Sequence, residues 1–217
     1  MPIVLLSGGQ DSATALIWAM ENLPPPLYAL SFQYGQRHEV EITCARRIAQ
    51  HMGVPHEIID LGPLWQSLGV STALTSEAPI EYSPEGLPTT FVPGRNLFFL
   101  AAAAAWGYER GETQLVIGVS QVDYSGYPDC RAPFIEAAEK ALSEALARPI
   151  RIHAPFLHMD KAALWRYADR RGYREFIAEE THTCYFGDRS HREAWGYGCG
   201  KCPACLLRKA GYEAAFG

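Results

Sequence analysis

Ile3-Val4-Leu5-Leu6-Ser7-Gly8-Gly9-Gln10-Asp11-Ser12 is the stretch on which the fold turns. Its first four residues form a short apolar run, as in a strand buried on both faces. The following Ala13-Thr14-Ala15-Leu16-Ile17-Trp18 reads as a helix. Between the two, a glycine pair lets the backbone turn with its N–H groups pointing into one hollow. The helix N-terminus adds partial positive charge at the same point, and Ser7 and Ser12 add hydroxyls. Such a corner binds phosphate. It is not of the Walker type, because no lysine follows the glycines and the G-x-x-x-x-G-K-S/T spacing is missing. The plainer reading is a glycine-rich turn without a ligand, which a lone glycine pair would deserve and the full hexapeptide does not.

Outward from this corner the chain alternates. Val4–Leu6, Leu27–Phe32, His56–Leu61, Leu115–Val119 and Ile150–Ala154 read as strands. Helical patterns cover Ser12–Glu21, His38–Met52, Asn96–Glu109, Pro133–Leu146 and Asp160–Arg171, with Asp160 placed as an N-cap. The expected fold is α/β: a Rossmann-like, mostly parallel five-stranded sheet with helices on both faces. Ligands in such sheets sit at the carboxyl ends of the strands, where the Ser7 loop lies. Residues 1–180 would make this domain and residues 181–217 a small C-terminal zinc-binding module. The segment Ser71–Gly94, with Pro79, Pro84, Pro88 and Pro93, breaks the alternation. It is expected either to cover the site as a lid or to be an insertion without a role.

At 217 residues the chain can bury a substantial core. A net charge of -5 argues against a broad nucleic-acid surface. The longest apolar run, Leu97 to Trp106, is too short to span a bilayer, and no secretory signal is visible. The expectation is a cytoplasmic protein acting on small molecules, with no nucleic acid and no membrane partner.

Cys199-Gly-Lys-Cys202-Pro-Ala-Cys205 is C-x-x-C-x-x-C, and Cys184 lies upstream of it. In a reducing compartment such clustering points to metal before disulfides. Four thiolates suit a closed tetrahedral zinc site with a structural role. An iron–sulfur cluster is the competing reading. Cys44 reads as a small buried residue, and Cys130 falls inside a polar motif.

Two other segments carry chemistry. Arg95 and Asn96 follow Val92-Pro-Gly, where an arginine suits an anion or stands as a surface charge. Asp123-Tyr124-Ser125-Gly-Tyr-Pro-Asp129-Cys130-Arg131 follows the fourth strand and is either a ligand loop or a turn built on Ser-Gly and Tyr-Pro. Asp11 reads as a loop-orienting group, as a Mg²⁺ ligand or as a helix N-cap. The seven histidines show no metal spacing.

The S-G-G-x-D-S loop resembles that of the N-type ATP pyrophosphatases, or PP-loop proteins. Together with V-P-G-R-N, D-Y-S-G-Y-P-D-C-R, Thr181-His-Thr-Cys184-Tyr and the cysteine triplet, it resembles the 7-cyano-7-deazaguanine synthases of queuosine biosynthesis. The matching segments run from residue 3 to residue 208; Thr183 stands where the family suggests serine. The resemblance implies an AMP- and pyrophosphate-forming ligase that uses 7-carboxy-7-deazaguanine, ammonia and ATP, with Mg²⁺, and works as a homodimer. It implies that Ser7, Gly8, Gly9, Gln10, Asp11 and Ser12, with Gln33, Gly35 and Gln36, bind the nucleotide. Asp11, Lys161 and Arg95 would serve catalysis. Asn96, Asp123, Tyr124, Ser125, Asp129 and Arg131 would hold the deazaguanine. A tRNA-modifying pyrophosphatase and a non-catalytic nucleotide-binding module are the alternatives, disfavoured by the acidic balance and by the Asp123 loop respectively.

Overall fold

The computed structural model describes all residues except 37, 77, 82–86 and 123–125. Five parallel strands, β1 (Ile3–Leu5), β2 (Tyr28–Gln33), β3 (His56–Asp60), β4 (Gln114–Ile117) and β5 (Arg151–His153), pair in the order β3-β2-β1-β4-β5. Strand β1 aligns Leu5 with Leu30 on one side and with Ile117 on the other. All three residues of β1 are buried, because helices cover both faces. The pleat divides them: Val4 enters one core, Ile3 and Leu5 the other.

The first face carries α1 (Gln10–Asn22), α2 (Val40–His51) and α6 (Lys161–Asp169), whose Leu16, Ile48 and Trp165 join Val4. The second carries α4 (Arg95–Tyr108) and α5 (Ala132–Leu146), whose Leu100 and Ile135 meet Leu30 and Leu115. The strand order reverses between β1 and β4, which opens a crevice at their carboxyl ends. The α/β sheet expected from the sequence is therefore the one observed. Three helices lie outside the expected pattern: α3 (Gly62–Ser67), α7 (Arg174–Glu180) and α8 (Pro203–Phe216).

The segment after residue 180 adds the short pair β6 (Arg192–Glu193) and β7 (Gly196–Tyr197), then α8. Cys184, Trp195, Cys202 and Cys205 belong to the same hydrophobic cluster as α1 and α6, so the segment shares the main core. Within 71–94, Thr90 is buried and its hydroxyl bonds that of Tyr127 at 2.6 Å, while Val92 packs with Tyr34 and Trp65. These residues form wall rather than surface; residues 77 and 82–86 of the segment lie outside the described residues.

Candidate active site

A cavity of about 280 Å³ opens at the reversal point. Its floor is the loop between β1 and α1. Gly9, in an extended conformation, is the N-cap of α1, and Asp11 lies in the first turn. The N-cap reading of Asp11 is thus corrected: no side chain caps α1, and the Asp11 carboxylate is engaged elsewhere. The Lys161 ammonium donates to both of its oxygens, at 2.7 and 2.6 Å. Lys161 opens α6 directly after Asp160, whose side chain caps that helix by accepting from the Ala163 N–H at 2.7 Å. The lysine is buried and lines the cavity.

The loop braces itself. The Ser7 N–H donates to Ser12 Oγ at 3.1 Å, the Ser12 hydroxyl donates to the Gly9 carbonyl, and the two hydroxyls lie 3.0 Å apart. The first-turn N–H groups of α1 have no partner within the helix and lie at the positive end of its dipole, which favours an anion. Gly8 has φ +85, and a Cβ there would stand 2.1 Å from the Glu41 carbonyl of α2. Gly118 performs the same service on the other side: its Cβ would stand 2.6 Å from the Asp11 carbonyl carbon and oxygen. Only hydrogen at both positions lets α1 start this close to α2 and to the end of β4.

Of the expected site residues, Ser7, Gly9, Gln10, Asp11, Ser12, Gln36, Arg95, Asn96 and Lys161 line the cavity. Gln10 is buried with both amide atoms unpartnered, and His182 likewise leaves Nδ1 bare. Buried polar atoms of this kind suit a polar ligand. Gln36 folds back, its Oε1 accepting from the Tyr34 N–H at 2.8 Å. Arg95 donates to the Tyr34 hydroxyl at 3.3 Å.

Others stand back from the cavity lining. Gln33 ends β2, where its carbonyl accepts from the Leu61 N–H, and Gly35 makes the turn after it. Gly8 packs against α2. Asp129 is buried, and its Oδ2 accepts the Asn96 N–H at 3.0 Å while its carbonyl accepts from Asn96 Nδ2. It thereby satisfies the first turn of α4 and fixes Asn96. Arg131 is exposed and donates to the Gly126 carbonyl at 2.8 Å. Asp123, Tyr124 and Ser125 lie outside the described residues.

The sequence reading missed several lining residues: Tyr34, Glu41, Tyr127, His182, Thr183 and Tyr185. His182 is fully buried; its ring bonds the Cys184 carbonyl at 3.1 Å, and burial lowers its pKa to about 4, so the ring is neutral. Glu41 sits in the first turn of α2, and burial raises its carboxyl to about 7 against the opposing pull of Arg95. Tyr127, His182, Thr183 and Tyr185 lie inside the D-Y-S-G-Y-P-D-C-R and Thr181–Tyr185 segments, which gave them no role; Tyr34 and Glu41 fall in no motif, and packing brings them here.

Beside this cavity, ligand sulfurs of Cys184, Cys199, Cys202 and Cys205 all lie within 4.8 Å of one another. This is a site ready for a metal ion. Hydrogen bonds from Cys202 and Cys205 hold the Cys184 thiol far below its ordinary range, and the same contact pushes Cys202 up to about 11. The cluster thus carries shared negative charge that a cation satisfies. Its link to the cavity is direct. The His182 N–H donates to the Gly8 carbonyl at 2.9 Å, two residues before Cys184. Arg208, fully buried on α8, donates to Thr183 Oγ1 at 2.8 Å and to the carbonyls of Trp195 and Ile177. Gly211 of α8 presses on Lys161, where a Cβ would lie 2.3 Å from the lysine's own Cβ.

A parallel sheet in the order β3-β2-β1-β4-β5, with an S-G-G-Q-D-S corner at its reversal point, defines a PP-loop nucleotide-binding protein. Within that class the chain belongs to the family of the queuosine biosynthesis protein QueC, whose model matches residues 1–216. It is 47% identical to the 7-cyano-7-deazaguanine synthase of Methylibium petroleiphilum over 225 residues, covering 98% of this chain and 94% of that one. It is also 47% identical to the enzyme of the same name from Hyphomonas neptunium, covering 97% and 92%. The solved tRNA thiolase NcsA of Methanococcus maripaludis superposes with a TM-score of 0.50 at 14% identity, over 98% of this chain and 64% of that one. That likeness concerns the fold alone.

Proposed function

We propose that this enzyme converts 7-carboxy-7-deazaguanine and ammonia to 7-cyano-7-deazaguanine at the expense of two ATP. The observation that carries the reading is the Asp11–Lys161 pair at the PP-loop, inside a cavity whose cations and helix N-terminus suit an anion. A carboxylate oxygen is a poor leaving group and AMP a good one. The acid attacks the α-phosphorus of ATP and pyrophosphate departs. Ammonia then attacks the acyl carbon and AMP leaves, giving the amide. A second adenylation, on the amide oxygen, permits loss of AMP and leaves the nitrile.

The residues divide this work by charge. First-turn N–H groups of α1 and the hydroxyls of Ser7 and Ser12 hold phosphate oxygens. Lys161, positioned by Asp11, stabilises charge on the departing pyrophosphate, and Arg95 faces the same anions from α4. Gln10 and Asn96 offer amides to the ligand. Gln33, Gly35 and Gln36 shape the turn beside the nucleotide. Asp123, Tyr124, Ser125, Asp129 and Arg131 complete the deazaguanine side in this reading, Asp129 by holding Asn96. Mg²⁺ accompanies the phosphates, and it needs oxygen ligands of the kind that Asp11 carries.

The cysteine cluster holds zinc in this reading, since four thiolates leave no open position for chemistry. The enzyme is a cytoplasmic homodimer with residues 181–217 as its metal-bound segment. Incubation with ATP and ammonium, with and without the deazaguanine acid, tests the function. Acid-dependent AMP and pyrophosphate support it; ADP and phosphate, or turnover that requires tRNA, contradict it.

A further inference from the structure

Two carboxylates line the cavity among the described residues, and they differ in one respect. Asp11 is taken by Lys161. Glu41 has no cation within ion-pair distance and no hydrogen bond to its side chain among the described residues. An acid in the first turn of a helix ordinarily faces water, where it favours the helix dipole at little cost. Glu41 instead reaches inward from α2 over the PP-loop, with its own carbonyl held against Gly8. Apart from the Mg²⁺ that accompanies the phosphates, every other charged partner in the reaction is anionic: triphosphate, carboxylate, acyl-adenylate and pyrophosphate. An unpaired carboxylate works against all of these, so its place at the site calls for a cation of its own.

We infer that Glu41 is the ammonium-binding carboxylate of this site and takes the proton that turns ammonium into the ammonia nucleophile. This rests on the function proposed above. Ammonium, like a lysine side chain, keeps its proton at neutral pH and has no lone pair to attack with. The N–H bond breaks, its electron pair stays on nitrogen, and the proton passes to the Glu41 carboxylate. The nitrogen lone pair forms a bond to the acyl carbon. The C–O bond to AMP breaks with its electron pair on the phosphate oxygen, and the amide nitrogen loses its surplus proton to water. Burial makes Glu41 a stronger base than an ordinary carboxylate, nearer the operating pH, as proton transfer requires. The groups facing it are Arg95 of α4 and Tyr34 after β2, with the Asp11–Lys161 pair and neutral His182 across the cavity. Arg95 stays with the anions; it lies beyond ion-pair distance of Glu41.

The test separates activation from amination in the full-length protein. For Glu41→Gln, acid-dependent pyrophosphate exchange into ATP should stay within about threefold of the parent. The KM for ammonium at pH 7 should rise at least tenfold. The deficit should shrink as pH rises, and it should vanish when hydroxylamine, neutral at pH 7, replaces ammonium. An unchanged ammonium KM overturns the inference, as does equal loss of exchange and amination. So does a deficit that hydroxylamine does not relieve. If the parent itself shows no acid-dependent exchange, the functional reading falls, and the inference with it.

Discussion

Single side chains here are set by where burial forces charge to pair. Asp11 and Lys161 are 150 positions apart in the chain, yet they meet because β1 and β5 flank β4 and the segments after both strands emerge at one edge of the sheet. The sequence made Ser7, Gln10, Asp11 and Ser12 legible, since a loop motif states its own geometry. It did not reveal Glu41 or Tyr34, which fall in no motif and reach the cavity through packing, and it gave no role to His182, which the backbone bond to Gly8 brings there. Asp129 shows the converse: a residue inside a conspicuous motif whose carboxylate is occupied by the Asn96 N–H. Glu41 also makes a stability prediction. A carboxyl raised from its ordinary 4.5 to about 7 binds its proton more tightly when folded. Its contribution to folding is therefore present below about pH 4.5 and lost as pH rises through about 7. Glu41→Gln should be more stable than the parent at pH 8 by about 1–2 kcal/mol, a figure reduced for partial exposure. Near pH 4.5 that advantage should disappear. Urea melts at the two pH values would decide it; an equal difference at both would show that Glu41 titrates normally.

At the level of elements, the strands and the larger helices were readable because a parallel sheet leaves continuous apolar runs with caps between them. Asp160 was placed as an N-cap and acts as one. Helix α8 was not readable: Pro203 begins it right after Cys202, inside a C-x-x-C-x-x-C spacing that points to a metal site rather than to a helix. Yet α8 does much of the positioning. It carries Arg208, which ties Thr183, Trp195 and Ile177 together, and Gly211, which lets it lie on Lys161. Gly211→Ala would place a Cβ 2.3 Å from the Lys161 Cβ, so either α6 or α8 must shift. We expect a loss of about 1–3 kcal/mol from overpacking and a fall in turnover of about 100-fold from the displaced lysine. Calorimetry and initial rates check both. Full turnover with a lowered Tm would mean that α8 moves and leaves Lys161 in place.

Across the whole molecule, the four-cysteine cluster and the PP-loop are parts of one packed body. The His182 N–H holds Gly8, and the cysteines share a core with α1 and α6. Metal loss should therefore reach the cavity. We expect about one zinc per chain; stripping it with a chelator under denaturing conditions should leave protein that regains both its Tm and its activity only when zinc is restored. Iron in elemental analysis would contradict the zinc assignment, and full activity without metal would contradict the coupling. The most direct measurement of the central claim is the count of AMP against nitrile, made once from the acid and once from the corresponding 7-carboxamide. Two successive adenylations in this one cavity predict two AMP per nitrile from the acid, and one AMP per nitrile from the amide without added ammonium. An amide that the enzyme leaves untouched, or ADP in place of AMP, would contradict it.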